Sequence, residues 1–263
     1  MTKFSTRPAL PRGFSVAELR WLEKITGISS SRIILGQISY EEAKKIKRYH
    51  EIISTGYPPE YILNRVEFSG YEFFIRKGVF IPRPESEFII EFVTSLGRAY
   101  KRALDLCCGT GALGISVYLQ NKVESIVFSD RSKPALNVTA KNLEKFSVKG
   151  QIIHSNLFSN IYGQFDLIIC NPPYIARSAY SGSLLHEPKR SLVSGRQGIE
   201  TTARFFEKLN RFLSNDGFAI LETAETLLPK VVKLANSCGF YSQILHTQSK
   251  IAFVKISLLC RRF

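Results

Sequence analysis

Apolar positions change their spacing along this chain. Through residue 65 they recur at helical intervals. Val16, Leu19, Leu22 and Ile25 share one helix face and follow Ser15 and Glu18, which make a capping-box pattern; Gly27 ends the run. Ser39 and Glu42 repeat the box ahead of Tyr40, Ala43, Ile46, Tyr49 and Ile53, with Gly56 as the stop. Pro58-Pro59 reads as closing the segment, because neither proline continues a helix. The pattern predicts a small helical domain over 1–65. Lys44, Lys45, Lys47 and Arg48 read as its solvated face.

From Val66 the pattern becomes aromatic and β-branched. Val66–Phe68 and Tyr71–Phe80, split by Ser69-Gly70, predict a β-hairpin linker over 66–82. The polar segment Ile81 to Glu87 leads into an apolar helix from Phe88. Residues 83–263 then alternate. Strands are expected at 102–107, 125–129, 151–154, 165–170 and 217–222, with helices at 112–120, 134–146, 200–213 and 227–237. Two adjacent strands, 240–246 and 251–258, close the chain. Apolar strands alternating with helices predict an α/β fold with a mostly parallel sheet and an antiparallel edge. Such sheets bind ligands beyond the C-terminal ends of their strands.

Composition narrows the class. The chain has 263 residues, 44% hydrophobic and 22% charged, an ordinary globular balance. No apolar run reaches the ~18 residues of a membrane helix. The five cysteines are odd in number and contain no CxxC, which argues against a disulfide framework or a zinc site and for a reducing compartment. The adjacent pair Cys107-Cys108 reads as packing residues. The four histidines are scattered, so no metal cluster is expected. Lys3, Arg7 and Arg12 precede the first acidic residue, Glu18, and read as a basic tail in preference to an organelle-targeting segment. Net charge is +14, divided as +5 over residues 1–65 and +9 over the rest. That favours an anionic partner without marking a basic arm.

Two strand ends carry candidate chemistry. Asp105 is followed by Cys107, Cys108, Gly109, Thr110 and Gly111, and the next strand ends in Asp130. The glycines permit a tight turn close to a ligand. Asp130 suits the two hydroxyls of a ribose. The rest of the dinucleotide fingerprint is missing, and Asp105 would repel a pyrophosphate. It would attract a cationic amino-acid group, such as the ammonium of S-adenosylmethionine. The plainer reading of Asp105 is a helix-capping turn residue.

The second strand end is Asn171-Pro172-Pro173-Tyr174, after the apolar strand 165–170. Two prolines make a stiff turn and leave carbonyls free as acceptors. The Asn171 carbonyl stands beside them, and the Tyr174 ring can wall a flat group. The set suits a planar group bearing NH₂, with one hydrogen accepted by Asn171 Oδ1 and the other by the Pro172 carbonyl. Fixing both N–H bonds turns the delocalised lone pair toward an electrophile, which is catalysis by positioning and preorganised dipoles.

With these motifs the chain resembles the HemK/PrmC family of S-adenosylmethionine-dependent protein-(glutamine-N5) methyltransferases, which act on peptide chain release factors. Asn171-Pro172-Pro173-Tyr174 matches the family motif unchanged. Ile81-Pro82-Arg83-Pro84-Glu85-Ser86-Glu87 is similar to its IPRPxTE segment, with Ser86 for Thr. Asp105 to Gly111 resembles its cofactor loop, with Cys107 where Gly is usual. Glu187-Pro188 and Ser191 to Gly195 resemble a later segment. Asn156-Leu157-Phe158 stands where the family has Asp-Leu-Phe against the adenine amino group, and the Asn156 carbonyl can still accept there. Thr223-Ala224 follows Glu222 where a Gly is usual.

The resemblance implies a class I methyltransferase fold, Rossmann-like, with an N-terminal helical domain for substrate recognition. It implies S-adenosylmethionine as cofactor, held by Asp105, Cys107, Gly109, Thr110, Gly111, Asp130, Asn156, Leu157, Phe158 and Asn171. It places the catalytic group at Asn171, Pro172, Pro173 and Tyr174. It places substrate at Arg83, Pro84, Ser86, Asn171, Tyr174, Glu187 and Glu222. A release factor is then the expected partner of a monomeric cytoplasmic enzyme, with neither a membrane nor nucleic acid as primary partner. The alternative is a methyltransferase acting on the exocyclic amine of adenine or guanine in nucleic acid, since that chemistry shares the Asn-Pro-Pro-Tyr motif.

Overall fold

A computed structural model describes residues 13–259. The stretch holding Lys3, Arg7 and Arg12, and the last cysteine, Cys260, lie outside the described residues. The chain packs as two compact units that divide between Asn64 and Arg65.

The first unit is helical: α1 (Val16–Thr26), α2 (Ser30–Ile34), α3 (Tyr40–Ser54) and α4 (Pro59–Leu63). Both capping boxes form: Ser15 and Ser39 each accept from the backbone three residues on, and Glu18 and Glu42 reach back. Leu22, Ile28, Ile33, Ile38, Ala43 and Ile46 make its core. Pro59 opens α4 instead of ending the segment. A first-turn proline gives up no intrahelical bond, so the ring that stops one helix starts the next.

The second unit begins with a hairpin, β1 (Arg65–Phe68) and β2 (Tyr71–Phe74). The strand expected to run to Phe80 stops at Phe74. Its last residue pairs with a side chain: Phe74 donates its N–H to Asn142 Oδ1 (2.8 Å), and its carbonyl accepts from Asn142 Nδ2 (3.0 Å). A turn follows, closed by the bond from Val79 N–H to the Arg76 carbonyl. Ile75, Val79 and Ile81 are buried by packing without a ladder.

After α5 (Glu87–Ser95), seven strands form one sheet: β3 (Tyr100–Leu106), β4 (Val123–Asp130), β5 (Gly150–His154), β6 (Phe165–Cys170), β7 (Leu213–Ala224), β8 (Phe240–Gln248) and β9 (Ile251–Leu258). Their order is β5-β4-β3-β6-β7-β9-β8. The first five run parallel; β9 joins β7 antiparallel and β8 joins β9 antiparallel. The expected parallel α/β fold with an antiparallel edge is therefore present. Helices α6 (Ala112–Gln120), α7 (Lys133–Lys145), α8 (Lys189–Leu192), α9 (Glu200–Leu209) and α10 (Leu228–Ser237) connect the strands. Helix α9 ends four residues before its predicted stop, and β7 begins at Leu213, paired with Phe165, across a register shift before Leu167. Ser214 to Asp216, which the expected elements leave between helix and strand, belong to β7 as its irregular start.

The strand order reverses between β3 and β6. A crevice opens at such a point beyond the C-terminal ends of the two strands. Asp105 to Gly111 leave β3 there, and Asn171 to Tyr174 leave β6.

Asn142 on α7 fixes the crevice wall. Fully buried, it holds both backbone groups of Phe74 and also donates to the Thr110 carbonyl at 2.9 Å, so one amide joins hairpin, helix and loop. Asn142→Ala leaves three backbone groups, one buried and two partly buried, without these partners. Urea unfolding is expected to show a loss of about 3 kcal/mol; a loss under about 1 kcal/mol would contradict this role.

Candidate active site

The loop after β3 is shaped by close packing. Gly111 has φ +78°, and a Cβ there would meet Thr139 Cγ2 at 2.9 Å. Gly114, in the first turn of α6, lies so near Asp105 and Phe128 that a Cβ would stand 2.8 Å and 2.6 Å from them. The helix start therefore sits directly on the strand ends. Asp105 uses this closeness: its Oδ2 accepts from Gly114 N–H at 2.9 Å. The carboxyl is buried beneath the loop and lines neither of the two cavities described below. Burial pushes its pKa up to about 7, the Gly114 N–H opposes this, and the negative charge of Asp130 adds to it.

Asp130 ends β4 in a different setting. Its Oδ2 accepts from Gly109 N–H (3.0 Å) and its Oδ1 from Ser132 N–H (2.8 Å). Burial raises its pKa and these backbone donors oppose the rise. The residue lines a cavity of about 530 Å³ over the strand ends. Each carboxylate oxygen keeps a lone pair beyond its backbone bond, so two further donors can be accepted. Cys107, Gly109, Thr110, Ser86 and Asn171 line the same cavity. Cys107 has φ +65°, a conformation that costs a non-glycine residue of order 1–3 kcal/mol and is met most often at functional sites. Its neighbour Cys108 is buried against Thr139 Oγ1 at 3.5 Å, a packing residue as expected.

A second, smaller cavity of about 210 Å³ adjoins the first. Arg83, Pro172 and Tyr174 line it. Asn171, Pro173, Phe80 and Ser191 line both, so Asn171 stands where the two cavities meet. The turn that carries it is held from behind. Ile175 pairs with the long loop through Ile175 N–H to the Leu192 carbonyl (2.8 Å) and Ser194 N–H to the Ile175 carbonyl (2.9 Å). Tyr174 donates its hydroxyl to Glu222 Oε1 at 2.9 Å.

Several residues singled out from the sequence stand elsewhere. Leu157 and Phe158 are core: Phe158 stacks on Phe212 with ring centres 4.5 Å apart. Asn156 is exposed, and none of the three lines either cavity. Gly111 and Pro84 also line neither; Pro84 opens a short 3₁₀ turn that ends at Ser86. Glu187 is buried and acts as a strap. It accepts from Ile81 N–H at 3.1 Å and pairs with Arg83, tying the long loop to the segment before α5. Glu222 is wholly buried beneath the turn after β6. In each case long-range packing, invisible in local pattern, decides where the side chain points. Two residues that meet both cavities, Phe80 and Ser191, carried no chemical signal in the sequence; Phe80 read as a strand residue. His154, at the end of β5, lines the larger cavity although its scattered position gave no reason to choose it.

The fold has known counterparts. Among solved structures, a methyltransferase from Pyrococcus furiosus aligns with a TM-score of 0.58 at 14% identity, covering 81% of this chain and 98% of that one. A ribosomal protein L11 methylase from Lactobacillus delbrueckii aligns with 0.53 at 16% identity, covering 69% and 81%. These likenesses show the class I methyltransferase fold. Residues 77–222 match the methyltransferase small domain family. At the sequence level, a release factor glutamine methyltransferase of Borreliella burgdorferi is 33% identical over 225 residues, 81% of this chain and 78% of that protein. One from Clostridium botulinum is 30% identical over 215 residues, 77% and 76%. The motif at the cavity junction, the matched catalytic domain and relatives aligned across most of both chains agree, and the chain belongs to the release factor glutamine methyltransferase family.

Proposed function

We propose that this chain transfers a methyl group from S-adenosylmethionine to the side-chain amide nitrogen of a glutamine in a peptide chain release factor. The observation that carries this reading is the position of Asn171, shared by a large cavity that ends at a carboxylate and a small one walled by prolines and Tyr174. The relatives support release factor over nucleic acid as the substrate. Among the described residues no helix is long and apolar enough to cross a membrane, and we read the protein as acting in the cytoplasm.

S-adenosylmethionine supplies an electrophilic sulfonium methyl. The larger cavity fits it: Asp130 offers lone pairs to the ribose hydroxyls, and the loop from Cys107 to Thr110 takes the amino-acid part. Asp105 acts through its field in a poorly screened interior, since it makes no wall of the cavity. The glutamine side chain occupies the smaller cavity. Asn171 Oδ1 and the Pro172 carbonyl accept its two amide hydrogens. So held, the amide lone pair would be directed toward the larger cavity, where bound S-adenosylmethionine would supply the methyl group and leave as the thioether, and the proton released by the alkylated nitrogen would pass to solvent water. No strong base is needed, because the alkylated nitrogen is acidic. The helical unit carries no cofactor motif, and we read it as a recognition surface for the release factor.

Asn171→Ala removes one preorganised acceptor. Turnover on a glutamine peptide is expected to fall by about 10²–10³ while S-adenosylmethionine affinity stays near wild type. Wild-type turnover in this variant would sink the mechanism.

Asp105→Asn separates stability from binding. Between about pH 4 and 7 the folded protein holds a proton on Asp105 that an unfolded aspartate has lost, so stability falls as pH rises through this window. Above it the native state bears the full cost of a buried anion. Asparagine can accept from Gly114 N–H without charge. At pH 8 the variant should be more stable by at least about 1 kcal/mol in denaturant unfolding, with the advantage gone near pH 4. Its cofactor affinity should drop. A variant less stable than wild type at pH 8 would refute the assigned cost.

A chain beginning at Arg65 is expected to bind S-adenosylmethionine in calorimetry yet to lose methylation of intact release factor. Full activity from it would remove the role given to the helical unit.

A further inference from the structure

Glu222 sits at the end of β7 with no exposed surface and lines neither cavity. In this structure it has no surface open to a substrate. Both of its oxygens are nevertheless committed. Ser86 donates its hydroxyl to Oε2 at 2.6 Å, and Tyr174 donates its hydroxyl to Oε1 at 2.9 Å. Ser86 Oγ in turn lies 3.5 Å from Asn171 Nδ2. Two segments, the turn before α5 and the turn after β6, thus converge on the carboxylate near the end of β7.

The chemistry of that cluster is one-sided. The single proton of Ser86 is spent on Glu222, so toward Asn171 its oxygen only accepts. The carboxylate also accepts only; burial raises its pKa, and the hydrogen bonds from Ser86, Tyr174 and Asn171 oppose that rise. An asparagine amide can present either end to its neighbours. Here the inner face offers acceptors alone, so Nδ2 must turn inward and Oδ1 must face the cavities. An amide flipped the other way would set its oxygen against two acceptors and present a donor to a substrate NH₂.

We infer that Glu222 is a positioning residue that, through Ser86, locks the Asn171 amide with its carbonyl oxygen toward the acceptor group, while fixing Tyr174 in the wall of the smaller cavity. The inference rests on the methyl transfer proposed above. It gives β7 a part in the reaction without contact with either reactant. It also gives Ser86 a defined task, in which the hydroxyl matters and the side-chain volume does not.

The test compares Glu222→Gln, Ser86→Ala and Ser86→Thr in the full chain, each alone and in the Asn171→Ala background. Glutamine keeps the shape of Glu222 but replaces one acceptor with a donor, so the Asn171 amide is free to flip. In the otherwise unaltered chain, Glu222→Gln and Ser86→Ala should lower kcat on a release factor by roughly tenfold or more, within the ~10²–10³ that loss of the Asn171 acceptor costs. S-adenosylmethionine affinity should stay within about twofold, and Ser86→Thr, which keeps the hydroxyl, should retain most of the turnover. In single-turnover assays in the Asn171→Ala background, Ser86→Ala should cause no further loss and Glu222→Gln a smaller fold loss than in the unaltered chain, because the amide they orient is gone and only the Tyr174 contact is left. A purely structural role predicts the same fold loss in both backgrounds, and that result overturns the inference. So does unchanged kcat in Glu222→Gln. Should Glu222→Gln fail to fold, the two Ser86 variants decide by the same comparison. Absence of any transfer by the unaltered chain would overturn the reading this rests on, and the inference with it; normal transfer with a multiplicative loss overturns the inference alone.

Discussion

An anion buried without a cationic partner is costly, and proteins keep one only where donors surround it. Glu222 is such a group. It sits at the C-terminal end of a central strand, and two hydroxyls from distant segments point at it. Its desolvation is opposed by the very residues whose direction it fixes. Ser86 cannot leave without stranding the carboxylate, and Tyr174 cannot turn into the smaller cavity without doing the same. The turn after β6 therefore has one orientation available, which a catalyst that works by positioning requires.

The same logic recurs at three strand ends with three outcomes. Asp105 spends an oxygen on the N–H of Gly114 and lies under the loop, where its charge is expensive. Asp130 spends one lone pair on each of two backbone N–H groups and keeps the rest at the cavity wall. Glu222 spends both oxygens on side chains and faces no cavity. Strand direction places all three acids at the C-terminal ends of parallel strands; what each one meets there decides whether it binds, orients or tunes. The long loop is locked to this edge by Glu187, which holds Arg83 and the Ile81 N–H, and by the short parallel bridge of Ile175 with Val193.

Much of this was legible in the sequence, for a physical reason. Helix faces, capping boxes and apolar strands are local patterns, and they gave the helical unit, the alternating unit and its antiparallel edge. Asn171 to Tyr174 and Asp130 are contiguous with strand ends, where chain direction alone puts them at the crevice. The second strand of the hairpin was overextended because Phe74 bonds to Asn142, 68 residues away, in place of a third strand. Leu157 and Phe158 belong to the core, where Phe205 and Phe212 pack against the Phe158 ring. Glu222, which the family resemblance places at the substrate, accepts from the hydroxyl of Ser86, 136 residues distant. Where a side chain points is decided by partners that local pattern does not contain.

The most direct measurement offers release factor and RNA together to the protein with methyl-labelled S-adenosylmethionine, followed by mass spectrometry of both. Label on a single glutamine side-chain amide of the release factor, lost when that glutamine is replaced, is the expected result. Label on base amino groups of the RNA with none on the release factor would contradict the assigned substrate, and label on neither would contradict the assigned chemistry.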